Sequence, residues 1–448
     1  MEMVTEWKRP SFGRKVVYGF GDIGGGFVFL FVTSFLTLYY TDVAGISAAF
    51  VGTMMLVVRM FDGVSDILMG LLIEKTNTKW GKARPWVFIG SIPLSLSAVL
   101  VFSIPSGFSN TEKNIYAFIT YWFMAVICFT IVNLSVQAML PRFSPDQQDR
   151  TVVRTIINFM GGFEILGIAI LTPKLLEAFG GQTSQKAWTT VVVIYAMLAM
   201  ICLLICFFGS KEQVPPTVAN SAEMSKTPII PTLKILFKTR CFYLSIFIMV
   251  ATNLSTSCFS GSLVYYVTNV LGDMNYYGIL SAARCLAFLI PAAPFLIKKF
   301  GKRRAVLTGL AVCILAEVTV ACFASNTLIV VVGMIVRNLA YMPLQAILFT
   351  LSAEIVEYIA RKDGIRAEGI ITSVNSFGTK VGTGLGSAIF GWTLAIGGYN
   401  GKLAVQSEFT LSCITVATFI IPAICTLIIF ISMFCWNIDK QKIAENNS

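Results

Sequence analysis

Long apolar runs, separated by short polar connections, follow one another along almost the whole chain. A helix of about 20 apolar residues spans the hydrocarbon core of a bilayer and satisfies its own backbone hydrogen bonds there. Twelve such runs, which we call spans 1 to 12, predict an all-α membrane protein with twelve transmembrane helices. They cover residues 15–40, 47–73, 86–104, 114–140, 152–178, 187–208, 241–270, 275–297, 305–323, 327–358, 368–397 and 408–436.

Composition agrees with this prediction and makes several classes of protein improbable. Hydrophobic residues make up 56% of the 448 residues and charged residues only 13%, whereas soluble domains carry about 25% charged residues. Histidine is absent, which removes the commonest metal ligand and general base. The 11 cysteines all lie in apolar runs without metal-binding spacing. We therefore expect no disulfide framework, no structural metal and no cofactor.

The basic residues are distributed unevenly among the connections between spans. Of the 34 Lys and Arg residues, 26 fall in the two tails and in every second connection, and only four fall in the remaining connections. This asymmetry predicts that both termini are cytoplasmic and that the number of spans is even. The net charge of +11 is thus explained by topology, and we expect a multi-pass protein of the inner (plasma) membrane with no nucleic-acid partner and no cleaved signal.

The longest polar connection divides the chain near its middle. We predict an N-terminal six-helix bundle at 1–210, a proline-containing cytoplasmic linker at 211–240 and a C-terminal six-helix bundle at 241–448. The sequence Trp80–Arg84 is echoed by Phe300–Arg304, at the same connection of each half. Two related six-helix halves are typical of transporters whose substrate site lies near the bilayer midplane, and such a carrier can work as a monomer.

Span 2 carries charged residues inside its apolar run. Asp62 and Asp66 are four residues apart and so share one helix face, to which Ser65 adds a hydroxyl and Arg59 a guanidinium. Carboxylates within a span are costly and usually functional. Oxygen ligands of this kind suit a small hard cation or a proton. The alternative is a buried ion pair between Arg59 and Asp62 that only fixes helix packing.

Other polar residues lie deep in the spans. A lone ammonium such as Lys380 needs an acidic partner, for which Asp22, Asp62 and Asp66 are candidates. The face formed by Thr130, Asn133 and Gln137 in span 4 could bind a ligand or could join helices through hydrogen bonds. The glycines of spans 1 and 11 allow either close helix packing or room for a ligand. Asn158, Glu164 and Thr379 are further polar residues deep in the spans, and for Arg284, Glu317 and Arg337 no role beyond pairing is predicted.

Several motifs occur together in a fixed order. They are Tyr18–Asp22, Tyr39–Gly45, Arg59–Asp62 with Asp66, Trp80–Trp86, Ala353–Tyr358, Lys362–Gly369 and Lys380. In this order they resemble the glycoside-pentoside-hexuronide:cation symporter family of the major facilitator superfamily, over about Val17 to Tyr399. The resemblance implies secondary active import of a sugar or glycoside in symport with a sodium ion or a proton, by alternating access.

Resemblance to the melibiose carriers of that family also implies site residues. Their cation positions fall on Asp62, Ser65, Asp66 and Thr130, with Ser65 in place of an Asn. Lys380 matches a lysine between the cation and sugar sites. Several of the sugar-binding positions carry different residues here. A Lys-Asp pair of the melibiose carriers falls on Gly25 and Gly26, and an Asp and a Trp fall on Asn133 and Gln137. An Arg falls on Asn158, a Trp on Gln345 and a Gln on Asn375. The predicted substrate-binding residues are therefore Asp22, Gly26, Asn133, Gln137, Asn158, Gln345, Asn375 and Lys380.

The leading hypothesis is a cation-coupled sugar carrier whose partners are the sugar, the cation and the lipid bilayer. We predict that its cytoplasmic side is gated by Arg59, Lys82, Arg84, Lys302 and Arg303. A membrane enzyme is disfavoured, because the outward connections are short and almost free of catalytic groups. A sugar sensor or a carrier of lipids or other amphiphiles remains an alternative, because fold does not fix function.

Overall fold

The computed structural model describes residues 9–213, 236, 238–284, 293–363, 368–403 and 405–436. Helices account for most of these residues, and the only β-type pairing among them is an isolated bridge between Thr78 and Gly81. The helices are α1 (Phe12–Val43), α2 (Ala48–Lys75), α3 (Arg84–Val101), α4 (Asn110–Phe143), α5 (Gln147–Ala178), α6 (Gln185–Gly209), α7 (Arg240–Val270), α8 (Tyr276–Arg284), α9 (Ala293–Phe300), α10 (Lys302–Cys322), α11 (Thr327–Asp363), α12 (Glu368–Ile396) and α13 (Glu408–Phe434).

The prediction of an all-α membrane protein with twelve spans is confirmed. Within the described part of the chain, nine helices are long and apolar enough to cross a membrane: α1, α3, α4, α5, α6, α7, α10, α11 and α13. Helices α2 and α12 occupy the predicted spans 2 and 11. Helices α8 and α9 lie at or near the two ends of span 8, on either side of residues outside the described part.

Short polar residues begin several helices at the ends of the connections. Ser47 accepts a hydrogen bond from the Phe50 N–H at the start of α2, and Ser184 caps α6 in the same way. At the start of α4, Ser109 and Glu112 each satisfy a backbone N–H of the other. Each such cap typically stabilises a helix by about 1 kcal/mol. These caps explain why helices begin within a few residues of the apolar runs.

The described residues form two compact units. The N-terminal unit comprises Met1–Glu223 with Asn400–Lys402, and the C-terminal unit comprises Met224–Tyr399 with Leu403–Ser448. In the N-terminal unit α1 packs on α5 and α6, and α3 packs on α6. In the C-terminal unit α7 packs on α12 and α13, and α10 packs on α13. The second pattern repeats the first with an offset of six spans, as duplicated halves would. The predicted linker 211–240 falls mostly outside the described residues.

The first helix of each unit ends in the same local way. Helix α1 closes with a π-helical turn over Tyr39–Val43, and α7 closes with one over Tyr266–Val270. Each turn is followed by a glycine with positive φ, 73° at Gly45 and 77° at Gly272, a conformation that other residues rarely adopt. This correspondence agrees with the internal repeat seen in the packing.

Aromatic rings fill the interior of the N-terminal unit. The Phe31 ring of α1 lies 5.0 Å from the ring of Phe102, which follows α3 and stacks on Trp188 of α6 at 6.1 Å between centroids. The buried Tyr39 hydroxyl donates to Gln185 Oε1 at 2.8 Å and accepts from the Ile104 N–H. The cluster therefore joins three helices and keeps its polar atoms hydrogen-bonded.

Glycines allow helices to pack closely in both units. A Cβ at Gly24 of α1 would lie 2.8 Å from the Ala199 carbonyl oxygen of α6, and a Cβ at Gly382 of α12 would lie 2.5 Å from the Val250 carbonyl oxygen of α7. Such close backbone approach is typical of small residues at helix interfaces in membranes. Of the two roles considered for these glycines, the structure shows close packing at these positions.

Candidate functional site

Polar side chains of α2 and α4 meet inside the N-terminal unit. Arg59 Nη1 lies 3.3 Å from Asp62 Oδ2, and both side chains are buried. The Thr130 hydroxyl of α4 donates to Asp62 Oδ1 at 3.0 Å. The Ser65 hydroxyl lies 3.2 Å from that of Thr130. The structure therefore brings together three of the four predicted cation ligands, namely Asp62, Ser65 and Thr130.

A local irregularity of α4 accompanies this cluster. Residues Phe123–Phe129 form a π-helical segment, and the regular α-helix resumes at Thr130. A π-helical segment places an extra residue in the turn and changes the register of the helix, and such segments occur often at functional sites. Thr130 therefore stands at the point where the register of α4 changes, facing α2.

The fourth predicted ligand, Asp66, lies one turn beyond Asp62 on α2 and is half-buried. The guanidinium of Arg59 covers the ring of Phe29 at 4.9 Å and carries one positive charge against the two carboxylates. The ion pair considered as an alternative to a ligand cluster is thus present, and it shares Asp62 with the cluster.

The predicted substrate residues of the N-terminal unit lie on three helices. On α4, Gln137 Nε2 donates to Asn133 Oδ1 at 3.1 Å, so the two amides form a pair. Asn158 is exposed on α5. At Gly26 of α1, the space beside the backbone is taken by the carboxylate of Glu164, whose Oε2 would lie 2.7 Å from a Cβ at that position.

Asp22 has ionisable neighbours that the sequence did not pair with it. This half-buried carboxylate of α1 interacts electrostatically with Arg154 and with Glu164, both on α5. The sequence did not indicate Arg154 as a site residue, because it lies near the start of the predicted span 5 and its charge was assigned to the preceding connection. The available signal was its spacing of four residues from Asn158, which places the two on one helix face.

The predicted substrate residues of the C-terminal unit lie on α11 and α12. Asn375 is buried, and its Nδ2 donates to Ser352 Oγ at 2.6 Å. Its Oδ1 has no hydrogen-bond partner among the described residues, and such an atom is a candidate for a ligand contact. Gln345 on α11 and Lys380 on α12 are both half-buried.

The other intramembrane charges of the C-terminal unit belong to a buried network. Arg337 Nε lies 2.6 Å from Glu317 Oε1, and the Thr426 hydroxyl donates to Glu317 Oε2 at 3.1 Å. The guanidinium groups of Arg337 and Arg284 lie 5.1 and 5.6 Å from the centre of the Phe259 ring. Pairing was the role predicted for these residues, and the network joins α10, α11 and α13 through Glu317.

The predicted gating residues make contacts within their own units. The Glu212 carboxylate accepts hydrogen bonds from the backbone N–H groups of Lys82 and Arg84, at 3.1 and 2.8 Å, and of the intervening Ala83. In the C-terminal unit Lys302 pairs with Glu354, and Arg303 donates to a carbonyl oxygen at the end of α13. These contacts fix the two basic connections locally, and gating stays a prediction.

Acidic and sulfur-containing residues do not cluster elsewhere in the described part of the chain. No group of three or more His, Cys, Asp and Glu residues there could hold a metal ion. The ten cysteines in the same part are free. The chemistry of the site therefore rests on carboxylate, hydroxyl, amide and basic groups.

Known proteins similar to this chain are membrane carriers. The family model described as MFS/sugar transport protein matches residues 17–440. The isoprimeverose transporter of Lactiplantibacillus pentosus is 32% identical over 97% of this chain and 92% of the relative. A putative glycoside/cation symporter of Escherichia coli is 27% identical over 96% of this chain and 92% of the relative. The crystal structure of a bacterial homolog of the human lysosomal transporter Spinster matches 94% of both chains with a TM-score of 0.67 at 13% identity, which shows likeness of fold.

Proposed function

Because the chain belongs to the MFS/sugar transport protein family, we propose that it imports a glycoside or related sugar in symport with a sodium ion or a proton, by alternating access. It is a multi-pass membrane transporter and not an enzyme. The names of its relatives support the cargo, since one is called an isoprimeverose transporter and another a glycoside/cation symporter. The choice of sugar and of cation is part of the proposal.

The cluster on α2 and α4 is the observation that carries the proposal of cation coupling. Asp62, Ser65 and Thr130 offer carboxylate and hydroxyl oxygens within hydrogen-bond distance of one another. Asp66, half-buried one turn further along α2, adds a second carboxylate to the same face. Hard oxygen ligands of this kind within a membrane span suit Na⁺ or H⁺.

The sugar ligands that we propose are hydrogen-bonding groups of each unit. Asn133 and Gln137 lie on α4, the helix that also supplies Thr130, so a change at the cation ligands can reach them through one rigid element. In the C-terminal unit we assign Asn375, whose Oδ1 is free of hydrogen bonds within the described residues, together with Lys380. Cation and sugar then bind with positive coupling, which must be reciprocal.

Orientation and assembly are part of the same proposal. The excess of basic residues in the tails and in alternate connections supports cytoplasmic termini. We propose a monomer, because a carrier of two six-helix units holds its complete pathway in one chain.

The experiment is uptake of labelled glycosides into proteoliposomes that contain the purified protein. An inward gradient of Na⁺, or of H⁺ at fixed Na⁺, is imposed in separate arms. The proposal predicts accumulation above the external concentration in one of these arms. Uptake that only equilibrates the sugar in every arm would exclude symport, and absence of uptake for a panel of glycosides, pentosides and hexuronides would exclude sugar as the cargo.

A further inference from the structure

Arg59 of α2 carries a buried guanidinium whose contacts come from three helices. Its Nη1 lies 3.3 Å from Asp62 Oδ2 on the same helix. The guanidinium also lies over the ring of Phe29 on α1, 4.9 Å from the ring centre. Tyr121 of α4, which is only 2% exposed, interacts with the same guanidinium through its hydroxyl group. One acid and two aromatic side chains therefore share the charge of Arg59.

The contact between Arg59 and Asp62 is long for a buried pair of opposite charges. Hydrogen bonds from a charged nitrogen to a carboxylate are usually about 2.7–2.9 Å long, and Lys15 Nζ lies 2.7 Å from Asp149 Oδ1 in the same unit. In a poorly hydrated site the attraction between opposite charges is strong, so a guanidinium is expected to close on its carboxylate. An attraction from other groups must therefore oppose this closure.

Phe29 and Tyr121 can supply that attraction. An aromatic ring attracts a cation that lies over its face, and the attraction is strongest where water is excluded. A phenol oxygen can accept a hydrogen bond from a guanidinium. Phe29 is itself fixed, because its ring stacks on that of Phe129 at 4.8 Å between centroids. Phe129 directly precedes Thr130, which donates a hydrogen bond to the other oxygen of Asp62.

The position of Arg59 decides how much of the Asp62 carboxylate is available to another cation. In close two-point contact a guanidinium occupies both carboxylate oxygens, whereas at 3.3 Å from one oxygen it leaves acceptor capacity on both. Building on the proposed function, which assigns Asp62 to the coupling cation, we propose that Phe29 and Tyr121 are positioning residues. They hold Arg59 short of close contact with Asp62 and thereby set the affinity of the carrier for its cation.

The variants Tyr121→Phe and Phe29→Leu remove the two attractions one at a time and keep apolar side chains in place. Arg59 should then close on Asp62 and compete with the cation. We expect the cation concentration for half-maximal glycoside uptake to rise at least about threefold in each variant. The measurement uses purified full-length protein in proteoliposomes, with the Na⁺ or H⁺ gradient that drives accumulation by the wild type.

Tyr116→Phe and Phe27→Leu are the matched controls on the same two helices. The Tyr116 hydroxyl donates to the Leu100 carbonyl oxygen at 3.0 Å, and the Phe27 ring stacks on that of Tyr195. The same chemical groups are thus removed from contacts with other parts of the unit. Both controls should keep the cation dependence of the wild type.

Sugar affinity at saturating cation separates positioning from a general loosening of the fold. It should stay at the wild-type value in Tyr121→Phe and Phe29→Leu, and its loss would show that the two side chains only support the fold, which would overturn the inference. Unchanged or tighter cation dependence in either variant would also overturn it and would leave the proposed function in place. A wild type whose glycoside uptake responds to neither Na⁺ nor H⁺ would contradict the proposed function and the inference together.

Discussion

The Thr130 hydroxyl of α4 donates a hydrogen bond to Asp62 Oδ1 of α2 at 3.0 Å. Asp62 is buried, and its other oxygen faces the Arg59 guanidinium at 3.3 Å. The same carboxylate therefore links two helices and is also the oxygen donor that the proposed function assigns to the cation. A cation bound beside it would have to compete with or use these hydrogen bonds, so under the proposed function coupling and helix packing both depend on Asp62.

Replacement of Thr130 by Val should weaken cation binding. The shape of the side chain is retained, but Asp62 loses the hydroxyl that donates to it, and hydrogen bonds to charged groups contribute about 1.5–3 kcal/mol. We expect the cation concentration for half-maximal sugar uptake to rise roughly tenfold. Thr130→Ser keeps the hydroxyl and should stay close to the wild type; equal effects of Val and Ser would contradict the assignment.

Replacement of Arg59 by Gln should destabilise the protein by leaving Asp62 buried without its counter-charge. Removing one partner of a buried ion pair lowers the free energy of unfolding by about 3–5 kcal/mol. Denaturation of the purified variant in detergent would measure this loss. The double variant Arg59→Gln with Asp62→Asn should recover much of this loss.

The exposed ion pair of Arg361 with Glu357 on α11 is the control for this prediction. Pairs of that kind contribute less than about 1 kcal/mol, so Arg361→Gln should leave the free energy of unfolding almost unchanged. Equal losses for Arg59→Gln and Arg361→Gln would mean that the Asp62 pair is hydrated.

Glu212 should limit the conformational freedom of the basic connection before α3. Its carboxylate accepts hydrogen bonds from the backbone N–H groups of residues 82, 83 and 84. Glu212→Ala removes the carboxylate that accepts all three hydrogen bonds, so these amides should exchange hydrogen for deuterium at least about tenfold faster. Faster exchange is not expected in the equivalent connection before α10, and its appearance there would indicate general loosening.

Two neighbouring glycines of α12 should respond differently to alanine. A Cβ at Gly382 would lie 2.5 Å from the Val250 carbonyl oxygen, whereas the nearest atoms to a Cβ at Gly378 are side-chain carbons at 3.7 Å. Gly382→Ala should therefore lower the free energy of unfolding by roughly 1–3 kcal/mol because α7 and α12 must separate. Gly378→Ala should be neutral or slightly stabilising, and a reversed order would contradict the packing described.

Hydropathy and charge predicted the spans well because a bilayer requires long apolar helices. They predicted the ends of some helices poorly. Asp146 caps α5, so this helix begins before its apolar run and Arg154 lies inside it. Two features depend on tertiary contacts that no local sequence pattern encodes. They are the π-helical segment before Thr130 and the hydrogen bonds by which Glu212 holds the connection before α3. Resemblance proposed the ligand positions, and it gave no role to Glu164.

Uphill accumulation of sugar by Asp62→Asn and Asp66→Asn carriers tests the central claim most directly. Each variant is compared with Asp273→Asn, an exposed loop position where an amide can keep the hydrogen bond to the Asn275 N–H, and sugar counterflow is measured in parallel. The account predicts that both site variants lose cation-driven accumulation, that at least one retains counterflow, and that Asp273→Asn behaves as the wild type. Undiminished accumulation in both site variants would contradict it.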